Sequence, residues 1–164
     1  MLSTEKQNQY IKVMTNPISY KLGLSYTLPM ASIAGMKLKT LNQTTCEVTV
    51  PFKFLNKNPF GSTYWAVLGM ASEAASGILL MMYVHKLEPS VSTFVTGCNA
   101  KFIKQAKGIT TFVCNDGKTI AESVLKSITT GDAQTFHTTV NGYDKDGTLL
   151  CEFEYDWGVK QRRK

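Results

Sequence analysis

Hydrophobic and polar positions follow two different rhythms along this chain. From residue 58 to 84 the run NPFGSTYWAVLGMASEAASGILLMMYV is apolar almost throughout, with Glu73 as its sole charge. It predicts a helix buried on most sides, a rod of roughly 30 Å that would pass through the middle of a small domain. The flanking sequence alternates instead. In QTTCEVTVPFKF, Cys46, Val48, Val50, Phe52 and Phe54 interleave with Glu47, Thr49, Pro51 and Lys53, the period of a strand with one covered face, and Pro51 places it near an edge or bulge. Beyond the break at Glu88-Pro89-Ser90, the segments VSTFVTGCNAKFIK, ITTFVC, TIAESVLKSI, AQTFHTTVNGY and TLLCEFEYDW are rich in Thr, Val, Ile and aromatics and are predicted as strands. Asn115-Asp116-Gly117 and Lys145-Asp146-Gly147 carry hairpin chemistry and imply antiparallel neighbours. In the last segment Leu149, Cys151, Phe153, Tyr155 and Trp157 share one face, and Leu150, Glu152, Glu154 and Asp156 the other, as in a sheet with one covered and one wet side. Ahead of the first strand, residues 3–14 and 17–34 are predicted helical, with Pro17 in a first turn and Gly35 as a cap. The whole is an α+β pattern in which a curved antiparallel sheet wraps a long central helix.

Composition narrows this to one domain: 164 residues, 43% hydrophobic and 18% charged, suffice for one core and little more. No repeat or low-complexity stretch interrupts it. Cys46, Cys98, Cys114 and Cys151 form no C-x-x-C pair, and the opening stretch MLSTEKQNQYIKVM lacks the apolar segment of a secretory leader, so buried thiols in a reducing cytoplasm are expected. The net charge of +6 is concentrated at the end, where Lys160, Arg162, Arg163 and Lys164 leave only +2 over the rest, so nucleic acid is not an expected partner. The apolar run is rich in small residues, has no basic anchors and holds an acid near its middle, which reads as a core helix and not a membrane span.

That acid is the candidate for chemistry. On a helix, Glu73 shares a face with Ala66, Gly69, Met70, Ser76, Gly77 and Leu80. Gly69 and Gly77, a turn away on either side, would let another backbone or a thin ligand arm approach. A carboxylate among apolar groups has a raised pKa and suits a general base for attack of water on a carbonyl, and the free amides of a helix start suit the developing oxyanion. Asn58 and Ser62 are placed either to cap that helix or to orient water or substrate. The alternative for Glu73 is a structural acid that fixes subunit register. His85 and His137 are far apart without ligand spacing, no Cys cluster forms, and no metal or nucleotide site is expected. Lys101, Lys104 and Lys107 read as solvated lysines, with contact to phosphates as the alternative.

The order of elements, with Asn58-Pro59-Phe60-Gly61 leading into a small-residue helix that carries Glu73, resembles the hotdog superfamily, and within it an uncharacterised thioesterase-like branch with Asn-x-x-Gly before the central helix. The resemblance spans Met36 to Trp157 and implies a helical extension over residues 1–35, a hotdog domain over 36–158 and a basic tail over 159–164. It further implies a homodimer or tetramer whose sheets join edge to edge, and an acyl-CoA or similar thioester as substrate, with CoA as part of that substrate and no separate cofactor. The implied roles are Glu73 as base or nucleophile assisted by Asn58, Gly61, Tyr64, Trp65 and Ala66 at the helix start, and Gly69, Met70, Ser76 and Gly77 along the substrate pocket. The chain departs from better-understood thioesterases eight residues before the acid, where Tyr64-Trp65-Ala66 stands in place of His-Gly-Gly. Trp65 would close the channel or line an aromatic acyl pocket. Glu73-Ala74 also matches the dehydratase branch, but residues 56–62 lack the His that branch needs. The remaining reading is a noncatalytic dimer that binds acyl chains through Tyr64, Trp65, Met70, Met81 and Met82.

Overall fold

A computed structural model describes residues 2–162. Helices α1 (Thr4–Thr15), α2 (Pro17–Thr27) and α3 (Pro29–Ala34) precede strands β1 (Lys37–Leu41) and β2 (Cys46–Val50) and a short 3₁₀ turn, Phe54–Asn56. Then come the central helix α4 (Trp65–Val84), β3 (Val91–Phe102), β4 (Thr110–Cys114), α5 (Gly117–Thr130), β5 (Gln134–Tyr143) and β6 (Leu149–Gln161). The six strands form one antiparallel sheet in the order β1-β2-β4-β5-β6-β3, so β1 and β3 are its edges.

Local chemistry explains where the elements begin and end. Asn16 closes α1 and caps α2, its Oδ1 accepting from the amides of Ile18 and Ser19 at 3.0 Å each. The helix expected over 17–34 is two helices, because the ring of Pro29 cannot continue the ladder and Leu28 takes a non-helical conformation. Gly35 ends α3 with φ +79°, as a left-handed cap should. Pro51 stops β2 at Val50, four residues before the alternation ends, so Phe52 and Phe54 leave the sheet and Phe54 lies exposed in the 3₁₀ turn.

Two further expectations are corrected. TIAESVLKSI is α5, not a strand: Gly117, Ile120, Val124 and Ser127 are its buried positions, spaced three and four apart. Asp116-Gly117 therefore begins a helix instead of turning a hairpin. The predicted tail over 159–164 is also shorter, because β6 runs through Gln161 and Val159 is core; Arg163 and Lys164 lie outside the described residues. The Lys145-Asp146-Gly147 hairpin is present, with the Asp144 carboxylate accepting from the amides of Asp146 and Thr148 and Gly147 at φ +80°.

Helix α4 lies on one face of the sheet across β2, β4 and β5 and reaches β6, while α5 packs beside it on β5 and β6. Val48, Val50, Phe112, Val140 and Phe153 from the strands meet Leu79, Leu80 and Met82 of α4 and Ile120 and Val124 of α5 in the core. The helix is long and apolar enough to cross a bilayer, with a window of mean hydropathy 1.6, yet 56% of that window is buried within this fold. Among the described residues no helix packs on β3, and α4 keeps a row of partly open positions: Ala66, Met70, Glu73, Gly77 and Met81.

Candidate functional site

The approach to α4 is a closed turn. The Asn58 side chain accepts from the amides of Phe60 (3.0 Å) and Ser62 (3.2 Å) and donates to the Ser62 hydroxyl (3.1 Å), while the Asn58 amide donates to the Ser62 carbonyl. Gly61 sits in this turn at φ +73°, a conformation that side-chain-bearing residues avoid. Asn58 and Ser62 thus satisfy each other and do not cap α4, which begins seven residues later than the apolar run. Asn56 anchors the segment from below: it is 1% exposed, its amide donates to the carbonyls of Ala34 and Pro51, and its own carbonyl accepts from the Tyr64 amide at 2.7 Å.

Tyr64 is the N-cap residue and offers no side-chain cap. Its amide is already bound to the Asn56 carbonyl and that of Gly61 to the Asn58 carbonyl, so of the four residues expected at the oxyanion site, Trp65 and Ala66 remain; among the described residues their amides meet no acceptor. The start of α4 consequently presents two free N–H groups and the positive end of a helix dipole between two exposed aromatic rings, Tyr64 and Trp65, whose centroids are 6.0 Å apart.

Two turns further on, Glu73 projects from the open row of α4. Its carboxylate has no hydrogen bond or ion pair among the described residues, and the apolar surroundings raise its pKa above the ordinary glutamate value. The small residues beside it face the sheet. A Cβ on Gly69 would stand 3.6 Å from the Phe153 ring, and one on Gly77 3.5 Å from Trp157. Ser76 is fully buried, donates to the Glu73 carbonyl and accepts from the Trp157 indole N–H at 3.3 Å. Ser72 and Tyr155 bring their hydroxyls within 2.6 Å of each other, and both reach the Gly69 carbonyl. Burial is the main cause of the raised Tyr155 pKa, and the charge of Glu73 acts in the same direction. On the neighbouring edge strand Cys98 is the register partner of Tyr155 and is exposed, unlike the other three cysteines. Gly69, Ser76 and Gly77 therefore face β6 aromatics, whereas Met70 faces a cleft.

Ser72 and Tyr155 are the members of this neighbourhood that sequence reasoning missed. The available signal was a lone hydroxyl on the otherwise apolar face of β6, aligned with the serines of the helix.

Two clefts flank the start of α4. One, of about 320 Å³, runs between α3, the 3₁₀ turn and α4, lined by Met30, Ile33, Leu55, Tyr64, Ala66 and Met70 among others. The second, of about 300 Å³, lies between the Asn58 turn and the segment after β3, bordered by Trp65, Phe102, Ile103 and Lys104. Trp65 and Tyr64 hence stand on different sides. Met82 is core and Met81 is exposed. Lys101 pairs with Glu152 at 3.0 Å on the wet face, which leaves Lys104 as the lysine of that stretch that borders a cleft.

The histidines stand elsewhere. His85 packs on the Tyr10 ring with centroids 5.1 Å apart, and burial together with Lys86 and Lys6 lowers its pKa. His137 meets Asp156 at 3.0 Å on the sheet face opposite Tyr155. Among the described residues no three His, Cys, Asp or Glu side chains gather as a metal site would need.

Comparison with known proteins places these features. A family model described as "Domain of unknown function (DUF4442)" matches residues 19–159. No curated protein matches the sequence. Among solved structures, a Pseudomonas aeruginosa protein of unknown function described as a probable thioesterase superimposes with a TM-score of 0.77 at 17% identity, over 92% of this chain and 99% of that one. A Haemophilus influenzae thioesterase gives 0.68 at 13% identity over 89% and 91%. Another Pseudomonas aeruginosa thioesterase, solved as a mutant, gives 0.69 at 12% over 90% and 96%. The fold is the hotdog fold of thioesterase-like proteins.

Proposed function

The chain belongs to the DUF4442 family, and from its hotdog fold and the unpartnered acid on its central helix we propose that it hydrolyses an acyl thioester. The observation that carries this reading is Glu73: a carboxylate without a partner among the described residues, raised in pKa by its apolar surroundings, on the open row of α4 one turn beyond the Gly69 carbonyl that Tyr155 reaches. Glu73 is solvent-exposed on the single chain, so a ligand or a second copy covering the open row would be what desolvates its carboxylate and tunes it as a base.

In the proposed reaction Glu73 takes a proton from water as the water oxygen attacks the thioester carbonyl. The free amides of Trp65 and Ala66 stabilise the oxyanion, and collapse of the tetrahedral intermediate expels the thiolate, which regains the proton. Direct attack by the carboxylate, with hydrolysis of the resulting anhydride, balances equally. Asn58 and Gly61 act by shaping the turn that leaves the Trp65 and Ala66 amides exposed.

Seven residues of helix separate Ala66 from Glu73, about 10 Å along the axis, more than a glutamate side chain spans. One carbonyl therefore cannot meet both groups of a single chain. A two-fold homodimer joined along the open edge β3, with the uncovered rows of two α4 helices facing each other, would supply the amides of one copy to the acid of the other. This is also the reason to expect an obligate dimer or a tetramer built from dimers. CoA fits as the carrier because Lys104 and Trp65 border the cleft on the far side of the helix start, suited to a phosphate and a heteroaromatic ring. A soluble cytoplasmic setting accords with such a substrate.

Trp65, exposed at the helix start where the hotdog resemblance leads one to expect glycine, favours a second reading in which the dimer binds acyl chains or thioesters without turnover. Thiol release from short-, medium-, long-chain and aromatic acyl-CoAs separates the two. Hydrolysis by the native protein, reduced at least about a hundredfold in Glu73→Gln at unchanged oligomeric state, is the expected result. A native protein that binds these thioesters but releases no thiol, or a Glu73→Gln protein as active as native, overturns hydrolysis by Glu73.

A further inference from the structure

We infer that the N-terminal extension, through α3, builds an acyl-chain site that takes a straight, flexible hydrocarbon chain; the inference rests on the thioesterase reading for its connection to Glu73. The cleft of about 320 Å³ is walled by Met30 and Ile33 of α3, Leu55 of the 3₁₀ turn, and Tyr64, Ala66 and Met70 of α4. These surfaces are largely apolar: the Asn56 amide is committed to the carbonyls of Ala34 and Pro51, which leaves the Tyr64 hydroxyl as the polar side-chain group of the wall. A ligand that lodges here is recognised chiefly by burial of hydrocarbon.

Position ties this cleft to the proposed chemistry at both ends. Tyr64 and Ala66 belong to the helix start that presents the free amides, and Met70 precedes Glu73 by one turn on the same open row. An acyl group whose carbonyl reaches either group has its chain directed along this wall. The two methionines, unbranched and adaptable, suit a chain of varying conformation better than a rigid ring system. The mouth is rimmed by apolar side chains that water would not select for, with Met30 68% and Ile33 53% exposed. No carboxylate borders it, and Lys53 stands beside it with its ammonium bound to the Ile33 carbonyl at 2.6 Å. Specificity for chain length would thus be set by residues that precede the hotdog core in sequence.

The test uses the full-length protein and decanoic acid as probe, followed by displacement of a fluorescent fatty acid. Met30→Glu and Ile33→Glu place a charge in the cleft at exposed positions, where folding is not at stake. Each is expected to weaken decanoate binding about tenfold or more, whereas Ile18→Glu, at an equally exposed apolar position of α2 outside the cleft (72% exposed), leaves it unchanged. Absence of saturable binding by the native protein, indifference to the two cleft substitutions, or equal loss in Ile18→Glu overturns the assignment. Cleft-dependent binding without any thiol release from acyl-CoAs would retain the acyl site and reject hydrolysis alone.

Discussion

Replacing Gly69 and Gly77 with alanine asks what the small residues of the central helix are for. Glycine in a helix interior costs about 0.8–1.0 kcal/mol relative to alanine, so a chain that keeps two of them in its core helix needs a reason. Close packing against the sheet is not that reason: an added Cβ would meet Phe153 at 3.6 Å and Trp157 at 3.5 Å, both ordinary van der Waals separations. Among the described residues, no atom outside helix α4 itself and these two rings lies within 4 Å of either added Cβ. Each substitution should therefore stabilise the protein by up to about 1 kcal/mol. The two sites lie about 12 Å apart along the helix, so their effects should add. For a chain of this size the double variant should melt roughly 3–8 °C above native. Urea denaturation at fixed protein concentration, read by the tryptophans, measures the change; concentration must be held because dimer formation would contribute to stability. A loss of about 1 kcal/mol or more in either variant would refute the reasoning, and would mean that a second backbone or a ligand occupies the space where those methyl groups would go.

Two other outcomes follow from the geometry. Glu73 has a folded-state pKa above its ordinary value of 4.5, so between that value and the raised one the folded chain retains a proton the unfolded chain has lost. Stability of native protein relative to Glu73→Gln should fall as pH rises through this window and level off above it; parallel pH profiles for the two proteins would contradict an elevated pKa. At the first residue of α5, Gly117→Ala would drive a Cβ to 2.1 Å from the Gln43 carbonyl oxygen and 2.6 Å from the Thr44 Cα, both backbone atoms, and should cost about 2–4 kcal/mol in chemical denaturation. A neutral result there would show that α5 does not dock against the β1–β2 turn.

The sheet, its antiparallel pairing and the central helix were legible because their signals are local. Alternation along β2 and β6, Asp-Gly chemistry at the β5–β6 hairpin and an apolar run of helical length each need only a short window. Helix α5 was misread for an equally local reason: Thr119, Ile120, Val124, Ile128 and Thr129 have the composition of a strand, and composition outweighed the spacing of Ile120, Val124 and Ser127 that tertiary packing obeys. The start of α4 slipped because Asn58 binds within its own turn and leaves the helix uncapped. Glu73 stood out as one acid in an apolar run. Its neighbours did not, since Tyr155 lies 83 residues beyond Ser72, and only the packing of β6 under α4 joins their hydroxyls. The α3 cleft was hidden for the same reason: Met30 and Ile33 belong to a helix whose place beside α4 depends on the buried amide of Asn56.

The carbonyl of Gly69 is the point where helix and sheet are pinned together. In an α-helix it receives the amide four residues on, which is that of Glu73, and here it is also reached by Ser72 and by Tyr155 from β6. The acid is thereby indexed to a strand as well as to its own helix. If α4 slid or rolled on the sheet, the tyrosine would have to let go before the carboxylate could shift. Because β3 is bonded to β6 along its whole length, rigidity imposed on that outer strand would reach the carboxylate through a single intervening strand.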